Sequence, residues 1–152
     1  MHSKQEETFL RKQFWTSLGQ YLAPVPSAGG SKINWINYKT GIRFINFKMD
    51  VVKDHAYIGI EILHNNPAIQ KLYFDHFKTL QMDIEKLLSE KWVWEENVHI
   101  DGKNISRIYQ TMRHINIYKQ TDWPQIITFL KVRIIALDTF WAGHKEIFEM
   151  LN

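Results

Sequence analysis

The chain has 152 residues, of which 45% are hydrophobic and 23% charged, with a formal net charge of +3. This length and composition predict a single globular domain over residues 1–152. The sequence has no cysteine, which excludes disulfides, thiolate nucleophiles and cysteine-ligated zinc. No apolar run reaches the roughly 18 residues of a membrane span and the N-terminus has no signal peptide, so we expect a cytoplasmic protein without a membrane partner.

The charges are unevenly distributed along the chain. Residues 31–53 hold five basic residues against one acidic residue, and residues 103–133 hold six against one. Residues 75–101 hold seven acidic residues against three basic ones. This polarity indicates either an anionic partner or pairing between segments of the chain.

The first element is a helix over residues 4–22. Ser3 followed by Glu6 is a capping-box pattern, and apolar residues then recur at helical spacing. Pro24 and Pro26 end the helix, and a short Gly/Ser-rich loop follows.

Residues 33–63 predict three strands. Lys39-Thr40-Gly41 suits a three-residue hairpin loop. The register that this loop implies joins four pairs: Ile33 with Phe47, Trp35 with Ile45, Ile36 with Phe44, and Tyr38 with Ile42. The third strand, "HAYIGIEIL", alternates cleanly, and aligning its core face with the second strand joins three further pairs: Asp50 with His55, Lys48 with Tyr57, and Phe44 with Glu61.

The second half predicts a helix, a hairpin and a final helix. Asn66-Pro67 starts a helix over residues 67–90. Asp101-Gly102 is a strong turn signal whose register pairs Val98 with Ile105, Glu96 with Arg107, and Trp94 with Tyr109. Residues 114–118 either prolong this strand or form another short one. Asp122 with Gln125 caps a last helix of about 28 residues that could break near Gly143.

The fold class is therefore α+β, with a mostly antiparallel five-stranded sheet in the order α-βββ-α-ββ-α and helices packed on it. This order is reminiscent of restriction-endonuclease-like cores, whose site needs an acid on the second strand and an acid-x-Lys step on the third. Here Glu61 is followed two positions later by Leu63. In the register above Asp50 lies six residues from Glu61, about 20 Å, which is too far to share a metal ion.

Other catalytic patterns are absent from the sequence. The seven histidines form no pair at ligand spacing, and Gly29-Gly30 does not follow a strand as a phosphate loop would. His144, on the apolar stripe of the last helix, is best read as a core histidine. We predict no metal and no cofactor. The only catalytic candidates are Glu61, Lys48, Tyr57 and Arg107.

The basic hairpin raises a nucleic-acid hypothesis. Its candidate binding residues, which combine phosphate partners with a stacking ring, are Lys39, Arg43, Lys48, Lys53 and Tyr38. Strand alternation would place Arg43 and Lys48 on opposite faces, which argues against one patch. Solvated or paired charges are the alternative interpretation.

Six stretches in chain order resemble the bacterial domain-of-unknown-function family 4268 (DUF4268): "FWTSLGQYL", "INYKTGIRFINFKMD", "AYIGIEI", "SRIYQTM", "DWPQIITFLK" and "RIIALDTFW". The resemblance implies no settled activity. Family members are often joined to an upstream nuclease-like domain, which implies an association with DNA metabolism or defence. With 13 residues before Phe14, we expect no such domain here.

Three functions are open at this point. The first is a non-catalytic, nucleic-acid-associated accessory module that binds DNA or RNA. The second is a protein-interaction or homo-oligomerising domain, in which Ile36, Tyr38, Ile42 and Phe44 contact a second copy or a separate nuclease-like protein. The third is a degenerate nuclease-like enzyme.

Overall fold

The computed structural model describes residues 2–151, and the bounds of its helices and strands follow from it. The helices are α1 (Lys4–Leu22), α2 (Pro67–Thr79), α3 (Gln81–Leu88) and α4 (Trp123–Met150), with a 3₁₀ turn at Gln120–Asp122. The strands are β1 (Ile45–Val51), β2 (His55–Ile62), β3 (Val93–Ile100) and β4 (Lys103–Arg113). Every neighbouring pair in the sheet, whose order is β1-β2-β4-β3, is antiparallel. The α+β class and the antiparallel sheet are confirmed.

The predicted five-stranded sheet is wrong, because the described residues form four strands. Residues 33–44 are irregular, so the four pairings predicted across Lys39-Thr40-Gly41 do not form. These residues form local side-chain hydrogen bonds and bonds to distant parts of the chain instead of a strand ladder. Trp141 Nε1 donates to the Thr40 carbonyl (2.8 Å), and the Tyr38 hydroxyl donates to Asp138 (2.5 Å). Tertiary hydrogen bonds thus replace the ladder that the local pattern favoured.

The predicted register between the first observed strands is wrong by two residues. Asp50 pairs with Tyr57, Lys48 with Gly59, and Asn46 with Glu61. The Val52 N–H donates to the His55 carbonyl and closes a tighter turn than expected. An even shift leaves every side chain on the same face, so the hydrophobic pattern could not distinguish the two registers.

The β3–β4 hairpin turns at Asp101-Gly102 as predicted, and Val98 pairs with Ile105. A bulge then shifts the register, so Arg107 pairs with Glu95 and not Glu96, and Tyr109 pairs with Val93 and not Trp94. The bulge contains Asn97 at a φ of +52°, whose N–H donates to the Ser106 hydroxyl oxygen. Trp94 thereby lies on the helix side, where its ring meets Phe74 edge-on.

The helices follow the predictions closely. The capping box of Ser3 and Glu6 is confirmed at the start of α1. The predicted helix over residues 67–90 divides at Leu80 into α2 and α3. The last helix passes through Gly143 without a break, and the Asp122 carboxylate accepts from the Asn116 N–H instead of capping it. Residues 114–118 form no strand, although Ile115 and Ile117 are buried.

One apolar core lies between the sheet and the helices. It joins Ile58, Ile60 and Ile62 of β2 to side chains of all four α-helices in residues 2–151. Within it the rings of Phe77 and Phe148 are in contact, with centroids 4.3 Å apart and planes inclined at 35°. His144 is half-buried and its ring lies on Phe140.

None of the helices in residues 2–151 has the length and apolar character that crossing a membrane requires.

Candidate nucleic-acid interface

The two faces of the sheet have different surroundings. Ile58, Ile60 and Ile62 point into the core beneath the helices, and the alternation of β2 places Tyr57, Gly59 and Glu61 on the other side. The register extends this second side across the sheet. We call it the open face, and it includes Asn46, Lys48, Asp50, Tyr57, Gly59, Glu61, Val93, Glu95, Val98, Ile105, Arg107, Tyr109 and Thr111.

Phe44 continues the open face just before β1. Its carbonyl accepts from the Leu63 N–H (2.7 Å), which extends the β1–β2 register by one pair. The Arg43 guanidinium carbon lies 5.1 Å from the centroid of the Phe44 ring. Arg43 precedes the regular strand, so strand alternation does not place its side chain on the sheet face away from Lys48. An arginine over an aromatic ring offers both a phosphate partner and a stacking surface.

Tyr57 and Glu61 form a buried polar pair on the open face. The Tyr57 hydroxyl donates to Glu61 Oε2 at 2.8 Å, and each residue is only 8% exposed. Burial, followed by the nearby Glu61 carboxylate, raises the pKa of Tyr57, which therefore remains a neutral hydrogen-bond donor.

Arg107 links this pair to the edge of the sheet. Its Nε donates to Glu95 Oε1 at 2.7 Å, and its guanidinium carbon lies 4.1 Å from the Tyr109 ring centroid and 5.6 Å from that of Tyr57. The two tyrosine rings stack with centroids 5.4 Å apart. The centre of the open face is thus an aromatic pair held in place by charged hydrogen bonds.

Gly59 allows the tyrosines to lie flat on the strands. A Cβ at this position would lie 2.5 Å from the Tyr57 hydroxyl oxygen and 2.9 Å from Tyr109 Cβ. Any larger residue would force both rings away from the sheet. The glycine therefore creates the shallow shelf that the rings occupy.

The acidic side chains of the open face are engaged. Glu95 pairs with Arg107, and Asp50 lies 3.7 Å from Arg11 of α1. Lys48 and Arg43 have no carboxylate within ion-pair distance among residues 2–151. These two cations are therefore available to a ligand.

The structure separates the predicted nucleic-acid residues. Lys48 lies on the open face, Arg43 at one end of β1 and Lys53 in the exposed turn at the other end. Lys39 is exposed in the irregular segment before β1. Tyr38 belongs to the opposite side: its ring stacks on the core residue Phe47, and burial and the bond to Asp138 raise its pKa.

The predicted catalytic candidates come together more closely. Tyr57, Glu61 and Arg107 are in one network, and Lys48 is one row away, opposite Gly59. Asp50 pairs with Tyr57, four residues and about 13 Å along the strand from Glu61. Within the described part of the chain, no three His, Asp or Glu side chains cluster so as to hold a metal ion.

The sequence placed Phe44 and Gly59 on the same face as Glu61, but it did not identify Tyr109 and Glu95 as members of this surface. The sequence predicted that Trp94 pairs with Tyr109, and the bulge at Asn97 places Val93 opposite Tyr109 instead. Asparagine adopts the left-handed conformation more often than most residues do, but an asparagine in a sequence predicts that conformation only weakly. Gly59 in the middle of an alternating strand was a usable signal, because it indicates a close approach.

The fold and its open face define a two-layer α+β domain with helices on one side of an antiparallel sheet. A family model described as a domain of unknown function (DUF4268) matches residues 10–145, and the chain belongs to this family. No curated protein and no solved structure matched the chain significantly.

Proposed function

We propose that this chain is a bacterial, cytoplasmic, nucleic-acid-associated module without catalytic activity, and that its open face contacts single-stranded DNA or RNA. The observation that carries the proposal is the combination of rings and unpaired cations on one sheet surface. Phe44 and Tyr109, which are both partly exposed, provide the rings, and Arg43 and Lys48 provide cations without a carboxylate partner among residues 2–151.

The arrangement of these groups favours single strands. Bases that are free of a duplex can stack on aromatic side chains of a sheet, while cations beside them neutralise the phosphates. Phe44 and Lys48 are four residues apart in the extended register, about 13 Å, and Tyr109 lies two strands away from Lys48, about 10 Å. A duplex would not expose its bases to rings that lie flat on the sheet.

The test is a fluorescence-anisotropy titration with short single-stranded DNA, single-stranded RNA and a matching duplex, at salt concentrations between about 50 and 200 mM. We expect the single strands to bind more tightly than the duplex and the affinity to fall steeply with salt. Absence of binding at the lowest salt concentration would refute the proposal.

A matched pair of variants locates the surface. Arg43→Ala with Lys48→Ala removes two phosphate partners and should reduce the slope of log K against log salt by about 1.4. The control is Lys12→Ala with Lys86→Ala, which removes two exposed lysines from α1 and α3. An equal loss in both double variants would point to non-specific charge instead of the open face.

A protein-interaction or homo-oligomerising domain is the second candidate. Ile36, Tyr38 and Ile42 pack on the chain's own core, so they do not form the contact surface that the sequence suggested. The observation that supports this function is Val93, which is 45% exposed at the edge of the open face. Native mass spectrometry tests it, with a dimer that Val93→Lys abolishes as the expected result.

A degenerate nuclease-like enzyme is the third candidate. Its support is the cluster of Glu61, Tyr57 and Arg107 on the open face. Cleavage of a labelled oligonucleotide that Glu61→Gln abolishes would be required to establish it.

A further inference from the structure

The segment between α1 and β1 is a long irregular connection. Residues 23–44, which we call the anchored loop, have no regular strand or α-helix in the structure. Irregular connections of this length are uncommon in compact domains and usually have a function.

Buried groups of α4 hold the anchored loop in one conformation. Asp138 is 6% exposed and accepts from the Ala28 N–H at 2.7 Å and from the Tyr38 hydroxyl at 2.5 Å. Trp141 Nε1 donates to the Thr40 carbonyl at 2.8 Å. Within the loop, Trp35 Nε1 donates to the Val25 carbonyl at 2.9 Å. Because the loop is already ordered, a ligand that binds to its polar side chains would cause only a small loss of conformational entropy.

A cleft of about 420 Å³ opens beside these anchors. Its lining combines the apolar groups of Ile33 and Tyr38 with six polar or charged residues, which are Ser27, Ser31, Asn34, Asn37, Lys39 and Asp138. A cleft of this size accommodates a small ligand.

Several of these polar groups have donors or acceptors that can form further hydrogen bonds. The Asn37 amide, the Ser31 hydroxyl and the Lys39 ammonium have no side-chain partner among residues 2–151. Each carboxylate oxygen of Asp138 accepts one hydrogen bond in the structure and can accept another. The cleft thus combines a buried acceptor, neutral donors and acceptors, and one cation.

We propose that this cleft binds the ribose of a ribonucleotide, with the sugar hydroxyls at Asp138 and the neighbouring amides and with a phosphate at Lys39. A carboxylate that accepts from a ribose hydroxyl is a common means of recognising that sugar. The serine and asparagine groups match the remaining hydroxyls, which both donate and accept. Lys39 supplies the single positive charge that a phosphate needs.

The proposal does not rest on the proposed function of the open face. Asp138, Asn37 and Ser31 belong to α4 and the anchored loop, and substitutions at Ser31 and Asn37 leave the rings and cations of the open face unchanged. Either proposal can therefore fail alone.

The test is isothermal titration of the full chain with AMP, with its 2′-deoxy analogue and with adenosine. AMP should bind, and loss of the 2′-hydroxyl should weaken binding about tenfold, which corresponds to one hydrogen bond of about 1.4 kcal/mol. Absence of AMP binding, or equal affinity for AMP and its deoxy analogue, would overturn the proposal.

The variants are chosen to spare the anchors of the loop. Ser31→Ala with Asn37→Ala removes groups that the fold does not use and should weaken AMP binding at least tenfold with an unchanged melting temperature. Lys39→Ala should weaken AMP binding but leave adenosine binding as it was. The control is Asn65→Ala, an exposed asparagine outside the cleft. If it weakens AMP binding as strongly as the double variant does, the assigned site is wrong.

A ribose can come from a free nucleotide or from the 3′ end of an RNA. Competition between AMP and a short RNA with either a free or a phosphorylated 3′ end distinguishes these sources. Displacement by the free 3′ end supports the cleft as an RNA-end site, and displacement by neither RNA supports it as a free-nucleotide site. Equal displacement by both RNAs would show that the terminal ribose is not what the cleft recognises and would count against the proposal.

Discussion

The two faces of β2 are almost equally buried, but by different means. Ile58, Ile60 and Ile62 are fully buried beneath the helices. On the open face, Tyr57 and Glu61 are each 8% exposed, and their contacts are with other side chains of the sheet. Burial therefore does not require a covering helix when long side chains lie flat and satisfy each other's polar groups.

The largest difference between the faces should appear in the core. Ile60→Ala removes a fully buried side chain and should lower the free energy of unfolding by about 3 kcal/mol, measured by urea denaturation. The control is Val132→Ala on α4, whose side chain is 57% exposed and whose effect should remain within about 0.5 kcal/mol. Equal effects of the two substitutions would mean that the helices do not cover this face.

Gly59→Ala tests the shelf on the open face. The added Cβ would collide with Tyr57 and Tyr109, and we expect a loss of about 2 kcal/mol in the free energy of unfolding together with weaker oligonucleotide binding. Gly143→Ala is the matched control. It has open space around its Cβ position in α4, and it should stabilise the protein by up to about 1 kcal/mol. The same sign for both substitutions would contradict the close packing at Gly59.

The hydrogen bond between Tyr57 and Glu61 should give a smaller, pairwise effect. A double-mutant cycle with Tyr57→Phe and Glu61→Gln should show a coupling energy of about 1 kcal/mol, because Tyr57→Phe removes the donor and Glu61→Gln replaces the charged acceptor by a weaker, neutral one. A cycle between Tyr57→Phe and Glu96→Gln is the control, since Glu96 contacts Lys71 instead. Additive effects of Tyr57→Phe and Glu61→Gln would show that the polar pair does not hold the open face together.

The smallest expected effect is a pH dependence on the helix side. His76 Nε2 is buried without a hydrogen-bond partner among residues 2–151, and its ring lies 4.7 Å from that of Phe148. Burial, followed by the nearby His144, lowers the pKa of His76. The unfolded chain therefore binds a proton at a higher pH than the folded chain does, so stability should fall as the pH drops below about 6.5 and level off below the folded pKa.

Thermal melts between pH 7.5 and pH 5 of the protein and of His76→Leu measure this effect, and the variant should lose part of the acid destabilisation. His99→Gln on β3 provides the comparison, because His99 is exposed on the sheet hairpin. Unchanged acid sensitivity in His76→Leu would exclude His76 as its source.

Local signals predicted the elements whose contacts are local. The capping box at Ser3 and Glu6, the Asn66-Pro67 helix start and the Asp101-Gly102 turn all lie where the sequence placed them, because each depends on residues within a few positions of each other. The sequence did not predict that the second helix divides at Leu80, because the apolar stripe continues through this position.

The candidate site was predicted only in part. Glu61, Tyr57, Arg107 and Lys48 do share the open face, because strand alternation is a local property. Tyr109 lies beside Gly59 through the β2–β4 register, and Glu95 lies opposite Arg107 only because of the bulge at Asn97. Tyr38 lies on the helix side, where its hydroxyl donates to Asp138. These outcomes depend on groups that the local pattern does not contain.

By itself, the sequence determined the α+β class, three helical stretches and which residues of β1, β2 and β4 share a face, because periodicity and capping act over a few residues. Tertiary contacts determined the register between β1 and β2 and the irregular conformation of residues 33–44. An even register shift leaves the hydrophobic pattern of the strands unchanged, so the pattern cannot determine the register. The hydrogen bonds that Asp138 accepts from Tyr38 and that Trp141 donates to Thr40 join residues about 100 positions apart, and they hold the predicted hairpin as an ordered loop.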